Sequence, residues 1–235
     1  MERVDCGPGG VVVKVSGSLV YPPSSEYLGA LRDAAGLLVE RCGRLGLVVG
    51  GGPLAREAIE ALKPLGLGLS VLDIAGIRAS RFNAFLVAAS LHPLAPLRVP
   101  ESVEEALDLL SGWRAVVMGG LQPGQSTNAV AASLAEAMGA SVLVNLLKGI
   151  DGVYYPAPGV PGSRRLERAS YSDLRRVIED LSQTPGGYAL FDAVALNIVE
   201  RSEIKIIFMD GGDPRRIPEA LDGAGAFTLV GPGRG

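Results

Sequence analysis

Short apolar, β-branched runs alternate with longer segments whose apolar residues recur at helical spacing along the 235-residue chain. Val11–Val15, Gly46–Val49, Ser70–Leu72, Ala115–Met118, Val142–Leu146, Lys205–Met209 and Phe227–Val230 are the predicted strands. Ser25–Arg41, Leu54–Leu62, Ile74–Ser90, Val103–Leu110, Ala129–Met138, Tyr171–Leu181, Ala193–Glu200 and Arg215–Leu221 are the predicted helices. Start signals support several of them. Ser24 and Ser25 follow a proline pair, Ser102 precedes Glu105, and Ser172-Asp173 opens a run with Leu174, Val177, Ile178 and Leu181 at helical spacing. This alternation predicts an α/β fold, a three-layer αβα sandwich with a central, mainly parallel sheet covered on both faces. Val11–Val15, apolar except for a lysine near its end, reads as a central buried strand, and Pro156–Arg168 reads as a surface loop between two lobes.

Composition narrows the classes that remain. With 22 basic and 25 acidic residues the net charge is −3, which argues against a protein built around nucleic acid. The longest apolar candidate, residues 82–97, is broken by Asn83, Ser90, His92, Pro93 and Pro96, so no membrane-spanning helix is predicted. No export signal is read at the N-terminus, and a cytoplasmic globular protein is expected. His92 is the single histidine, which argues against a His-based zinc site or a Ser-His-Asp triad, and its position between Leu91 and Pro93 predicts a helix end. Cys6 and Cys42 are too few to suggest a disulfide framework or a metal site. Asn occurs only at 83, 128, 145 and 197, and Gln only at 122, 125 and 183. Few thermolabile amides suit a thermophile, and the bias of Arg over Lys would follow equally from a GC-rich genome.

The chemistry lies at the strand ends. Gly119-Gly120-Leu121-Gln122-Pro123-Gly124-Gln125-Ser126-Thr127 follows a strand and leads into a helix, an arrangement that offers backbone N–H groups to a phosphate. It is nearly a P-loop but lacks the lysine of that motif, so positive charge must come from elsewhere. Three further glycine-rich loops leave strands: Lys14-Val15-Ser16-Gly17-Ser18, Gly50-Gly51-Gly52 and Gly149-Ile150-Asp151-Gly152. Lys14 is placed to offset charge on a transferring phosphoryl group, although a snorkelling lysine at a strand end reads the same way. Arg56 stands one turn into the helix after the glycine triplet, where amides approach an anion. Asp73 opens the segment containing Arg78, Arg81 and Asn83, either as a helix cap or as a ligand for ribose hydroxyls.

Taken in order, these segments resemble the amino acid kinase family, and within it the archaeal UMP kinases. The resemblance runs from Lys14 to Thr228. It rests on Val48–Gly52 with Ala55-Arg56, on Asp73–Ala84, on Gly119–Thr127 with Ala129–Ala132, on Asp151-Gly152-Val153-Tyr154, and on Phe191–Ser202. It implies transfer of the ATP γ-phosphoryl group to UMP, giving UDP, with Mg²⁺ accompanying ATP. It places ATP at Lys14, Val15, Ser16, Gly17, Ser18, Gly52, Arg56 and Tyr154, with Lys14 and Arg56 as catalytic residues. UMP would meet Gly51, Asp73, Leu121, Gln122, Pro123, Gly124, Gln125, Ser126 and Thr127, and no protein metal site is implied. Charge for the acceptor phosphate would come from Lys14 together with Arg81 or Arg56. One domain over residues 1–235 is expected, with an acceptor lobe over 1–140 and an ATP lobe over 141–235. A homohexamer is implied by resemblance, and neither nucleic acid nor membrane is an expected partner.

The chain departs from the family pattern at three places. Asn128 stands where many members carry an Asp that organises basic residues or metal. Lys148-Gly149 replaces a Thr-Asn pair, with one residue added, and Ala157-Pro158 replaces Asp-Pro. Two alternatives accompany the kinase reading. One is another phosphotransferase of the fold, such as an isopentenyl phosphate kinase, whose pattern places His after the glycine triplet where this chain has Pro53-Leu54-Ala55-Arg56. The other is a nucleotide-binding sensor that has lost turnover.

Overall fold

The structure is a computed structural model that describes residues 2–182 and 190–233. Strand β1 (Val11–Val15) leads through the one-turn helix α1 (Gly17–Val20) to α2 (Ser25–Cys42), β2 (Leu45–Val49), α3 (Gly52–Leu62), α4 (Leu69–Leu91) and α5 (Val103–Gly112). Then come β3 (Ala115–Met118), α6 (Thr127–Met138), β4 (Val142–Leu147), β5 (Val153–Tyr155), β6 (Arg164–Leu166), β7 (Arg168–Ser170) and α7 (Tyr171–Ser182). The chain closes with α8 (Ala193–Arg201), β8 (Lys205–Asp210), α9 (Ile217–Leu221) and β9 (Thr228–Gly231).

Seven strands form one sheet in the order β3-β2-β1-β4-β8-β9-β7, and β5 pairs with β6 in a separate hairpin. Every neighbouring pair in the large sheet is parallel except β8 and β9. Both faces are covered, which is why the inner strands are almost continuously apolar. Val11, Val13 and Val15 pack with α2, α4 and α9 on one face. Val12, Leu143 and Phe208 pack with α5, α6, α7 and α8 on the other. Alternation along β1 therefore turns Lys14 toward the α6–α8 side.

Three expectations are corrected. Ser70–Leu72 lies inside α4, a single 23-residue helix beginning at Leu69. A three-residue apolar run carries too little periodicity to separate strand from helix, and adding turns to an existing helix is favourable because only its nucleation is costly. The segment Pro156–Arg168 holds β6 and the first residue of β7 rather than loop alone. Cys6 and Cys42 form a disulfide with Cα atoms 5.5 Å apart, because the segment before β1 returns past the end of α2. His92, as expected, ends a helix, and its ring centroid lies 6.2 Å from that of Trp113. Among the described residues, no helix is long and apolar enough to cross a membrane.

The disulfide joins residues 36 positions apart. Closing a loop of that length restricts the unfolded chain by about 4 kcal/mol. Reduction is expected to lower the melting temperature by roughly 10 °C, read by circular dichroism with and without a phosphine reductant. An unchanged melting point would mean that the cross-link contributes nothing to stability.

Candidate active site

In-register pairing ends β1, β2 and β3 side by side, Val15 beside Val49 and Val48 beside Met118, so their loops open on one edge of the sheet. Ligands of open α/β sheets bind at this edge. The loops after β1 and β2 touch backbone to backbone. A Cβ added at Gly17 would lie 2.2 Å from the Gly50 oxygen, and one at Gly52, where φ is +59°, would lie 2.3 Å from the Gly17 carbonyl carbon. Only glycine fits either position, and the first turn of α3 is left open to an anion. Asn83, fully buried on α4, fixes this turn by donating from Nδ2 to the oxygens of Gly50 and Gly51, each at 3.0 Å.

The loop after β3 is held just as closely by α4. Ser80 Oγ accepts from Gly120 N at 2.7 Å and donates to the Ile77 oxygen at 2.7 Å. Arg81 donates through Nε to the Gly120 oxygen at 2.9 Å and through Nη2 to the Leu121 oxygen at 3.3 Å. Its third nitrogen pairs with Glu101 at 2.5 Å. Asp73 Oδ2 accepts from Gly124 N at 2.9 Å. Ser126 caps α6 by accepting from Ala129 N at 3.0 Å and donates to Asp192 Oδ2 at 2.5 Å. Between this loop and α4 lies a cavity of about 300 Å³ lined by Ile59, Asp73, Gly76, Ile77, Ser80, Gly120, Gln122, Gly124, Gln125, Ser126 and Thr127. A Cβ at Gly50 would be 3.5 Å from Thr127 Oγ1, so the glycine triplet borders the same loop.

Lys14 supplies charge at this edge. Its register partners are Val48 on β2 and Asn145 on β4. Asn145, fully buried, donates to Asn128 Oδ1 at 3.4 Å, while its own Oδ1 has no hydrogen-bond partner among the described residues. Lys14 makes no hydrogen bond or ion pair with any described residue. Burial lowers its pKa to about 8, and the Asp192 carboxylate works against that shift. A partly buried ammonium beside glycine-rich loops can stabilise negative charge more strongly than a solvated one.

The amino acid kinase family model matches residues 10–210. The chain belongs to the amino acid kinase family. A uridylate kinase of Aeropyrum pernix is 47% identical over 214 residues, 91% of this chain and 95% of that protein. A uridylate kinase of Hyperthermus butylicus is 46% identical, covering 94% of this chain and 98% of that protein. The crystal structure of uridylate kinase from Archaeoglobus fulgidus superposes with a TM-score of 0.83 at 34% identity, over 94% of this chain and 99% of that one.

Within this family fold the site residues expected from the sequence divide into groups. Asp73, Gln122, Gly124, Gln125, Ser126 and Thr127 line one cavity, while Gly51, Leu121 and Pro123 are not among its lining residues. Lys14, Ser16, Gly17, Ser18, Gly52 and Arg56 belong to the adjoining β1 and β2 loops and the start of α3. Ser16 Oγ and Ser18 Oγ are 3.0 Å apart. Arg56 is exposed and has no hydrogen bond or ion pair among the described residues. The Val15 side chain is fully buried on the α2–α4 face, and its oxygen accepts from Gly50 N at 3.0 Å, so it braces the loop from behind. Tyr154 borders a separate depression with Tyr155, Pro156 and Ala157, and its hydroxyl donates to Asp151 Oδ1 at 2.7 Å.

Arg81 is committed to two loop carbonyls and to Glu101, so it acts as a brace for the loop rather than as a free cation. Lys148 is an exposed loop lysine that donates to the Ser18 oxygen at 3.0 Å. Ser80, Asn83 and Asp192 build the site without having been singled out for it. Their signal was present in the runs Asp73–Ala84 and Phe191–Ser202, but which backbone each side chain reaches is a tertiary fact.

Proposed function

We infer that this chain transfers the γ-phosphoryl group of ATP to UMP, forming UDP and ADP. The observation that carries this reading is the cavity between Asp73 and the Gly119–Thr127 loop, with Lys14 at the neighbouring strand end. Relatives of nearly the same length named uridylate kinase support it.

In this reading the UMP phosphate rests against the amides of the Gly119–Thr127 loop and the N-terminus of α6, with Asp73 presented to the ribose. ATP enters as its Mg²⁺ complex and lays its phosphates along the Lys14–Ser18 loop, Gly52 and Arg56. A UMP phosphate oxygen forms the new P–O bond while the bond from the γ-phosphorus to the β–γ bridging oxygen breaks, and ADP leaves with that electron pair. The protein's work is alignment and charge neutralisation, with Lys14 offsetting charge on the equatorial oxygens and Arg56 reaching the donor phosphates. Residues 1–140 supply the acceptor side, and residues 141–235 complete the donor side through Tyr154. The exposed side chains of Val71, Ile74, Phe82 and Phe85 on α4 support self-association, with a hexamer as the expected assembly. A cytoplasmic location suits both substrates, and the Cys6–Cys42 bond is compatible with it in a thermophile.

An ADP-coupled assay with ATP and Mg²⁺, comparing UMP, CMP and isopentenyl phosphate, tests the reading. UMP should be the preferred acceptor, and tight UMP binding without turnover would overturn it. The pH profile gives a second measurement. Lys14 carries its charge below its pKa of about 8 and loses it above. Thus kcat/KM for ATP should decline above pH 8, approaching about tenfold per unit. A flat profile to pH 9.5 would remove Lys14 from the chemistry.

A further inference from the structure

The four lysines of the chain divide two and two. Lys63 is ion-paired with Glu60, and Lys205 with Glu2. Lys14 and Lys148 have no ion-pair partner among the described residues, and both stand at the loop that leaves β1. Phosphoryl transfer accounts for Lys14 but gives no part to Lys148.

A built turn aims Lys148 at that loop. β4 runs parallel to β1 with Leu146 beside Val15, and the Leu146 oxygen accepts from Ser16 N at 3.1 Å. Lys148 therefore leaves the sheet next to residues 16–18. On one side of it the Leu147 oxygen accepts from Gly211 N at 2.7 Å. On the other, Asp210 Oδ1 accepts from Gly149 N at 2.9 Å, and Gly149 turns at a φ of +69°, which favours glycine. The backbone flanking Lys148 is thus fixed to the end of β8, and Nζ donates to the Ser18 oxygen at 3.0 Å. An ammonium has three N–H donors, and this bond uses one. The side chain is exposed, so the other two are open to a ligand. A single bond to a carbonyl near water repays little of the order it imposes on a long side chain. What it does achieve is a cation held against the β1 loop.

We propose that Lys148 is a second donor-phosphate residue, its ammonium binding the polyphosphate of ATP together with Lys14. This rests on the reading of the Lys14–Ser18 loop as the donor side. The Ser18 bond keeps the ammonium at the loop before ATP arrives, and the two open N–H groups then donate to phosphate oxygens. Lys148-Gly149 replaces the Thr-Asn pair of the family pattern, so this chain brings charge where that pattern has none.

Lys148→Gln keeps an amide that can donate to the Ser18 oxygen but removes the charge, whereas Lys148→Arg keeps the charge. Lys148 is exposed, so both variants should melt within a few degrees of wild type. Calorimetry with ATP and Mg²⁺ should show Kd rising about tenfold or more in Lys148→Gln and less than about threefold in Lys148→Arg. Kd for UMP should change by less than about twofold in both. KM for ATP should follow Kd, with kcat held within about threefold. The ATP deficit of Lys148→Gln should shrink as ionic strength rises from about 0.05 M to about 0.5 M, because an exposed charge is screened. Wild-type ATP affinity in Lys148→Gln would overturn the proposal and leave Lys148 as a brace for Ser18. So would an equal deficit in Lys148→Arg, or one that salt does not change. The reading beneath it fails by other results: a wild-type protein that does not bind ATP, or a Lys14→Met variant with wild-type kcat. If wild type binds ATP and phosphorylates UMP while Lys148→Gln matches it, only the role of Lys148 fails.

Discussion

Lys14→Met is expected to lower kcat for UDP formation by about two to three orders of magnitude, the usual cost of removing one preorganised charge from a transition state. Its effect on UMP affinity should be small. The lysine stands on β1 between Val48 and Asn145, with no described partner to hold and none to release. Methionine has a similar length and fills the same apolar strand environment, so the fold should survive. Steady-state kinetics with ADP release, together with calorimetric UMP binding, would separate the two effects. A variant that turns over normally would show that the ammonium is only a strand-end lysine kept partly dry by its neighbours.

Asp73→Ala should have the opposite signature. Asp73 accepts from Gly124 N at 2.9 Å and lines the cavity wall, with one carboxylate oxygen left for a ligand hydroxyl. Removing it takes away a charge-assisted hydrogen bond within the loop and the proposed contact to ribose. Bonds of that kind contribute about 1.5–3 kcal/mol, so KM for UMP should rise by about ten- to a hundredfold. The effect on kcat should stay within about threefold, because the reacting phosphate lies farther along the loop. A fall in kcat with KM unchanged would move Asp73 from substrate binding to the chemistry and would contradict the placement of UMP in this cavity.

The two variants probe residues that were legible to different degrees. Lys14 stood out because a lone lysine in an apolar strand is costly unless it is used. Asp73 read by default as a helix cap, yet in the structure it sits inside α4 and reaches across to Gly124 instead. Arg81 changed meaning once its partners were visible, since it braces the Gly120–Leu121 backbone. The rare asparagines were read from composition as a sign of heat adaptation. Three of the four, Asn83 on α4, Asn128 on α6 and Asn145 on β4, are buried. There a short amide can bond to backbone and to a second amide without introducing charge.

The sequence by itself determined the alternation of strands and helices, the layered α/β class and the glycine loops at strand ends. These follow from local chemistry, since periodicity, caps and the need for glycine at close backbone approaches are written in neighbouring residues. Tertiary structure alone decided that Ser70–Leu72 is helical, that Cys6 meets Cys42, that Arg81 is spent on a loop, and that Asp192 meets Ser126 between two helix starts. Each of these depends on groups far apart in the chain. A side chain's partner, and the field it feels, are set by which distant segments the sheet order brings together.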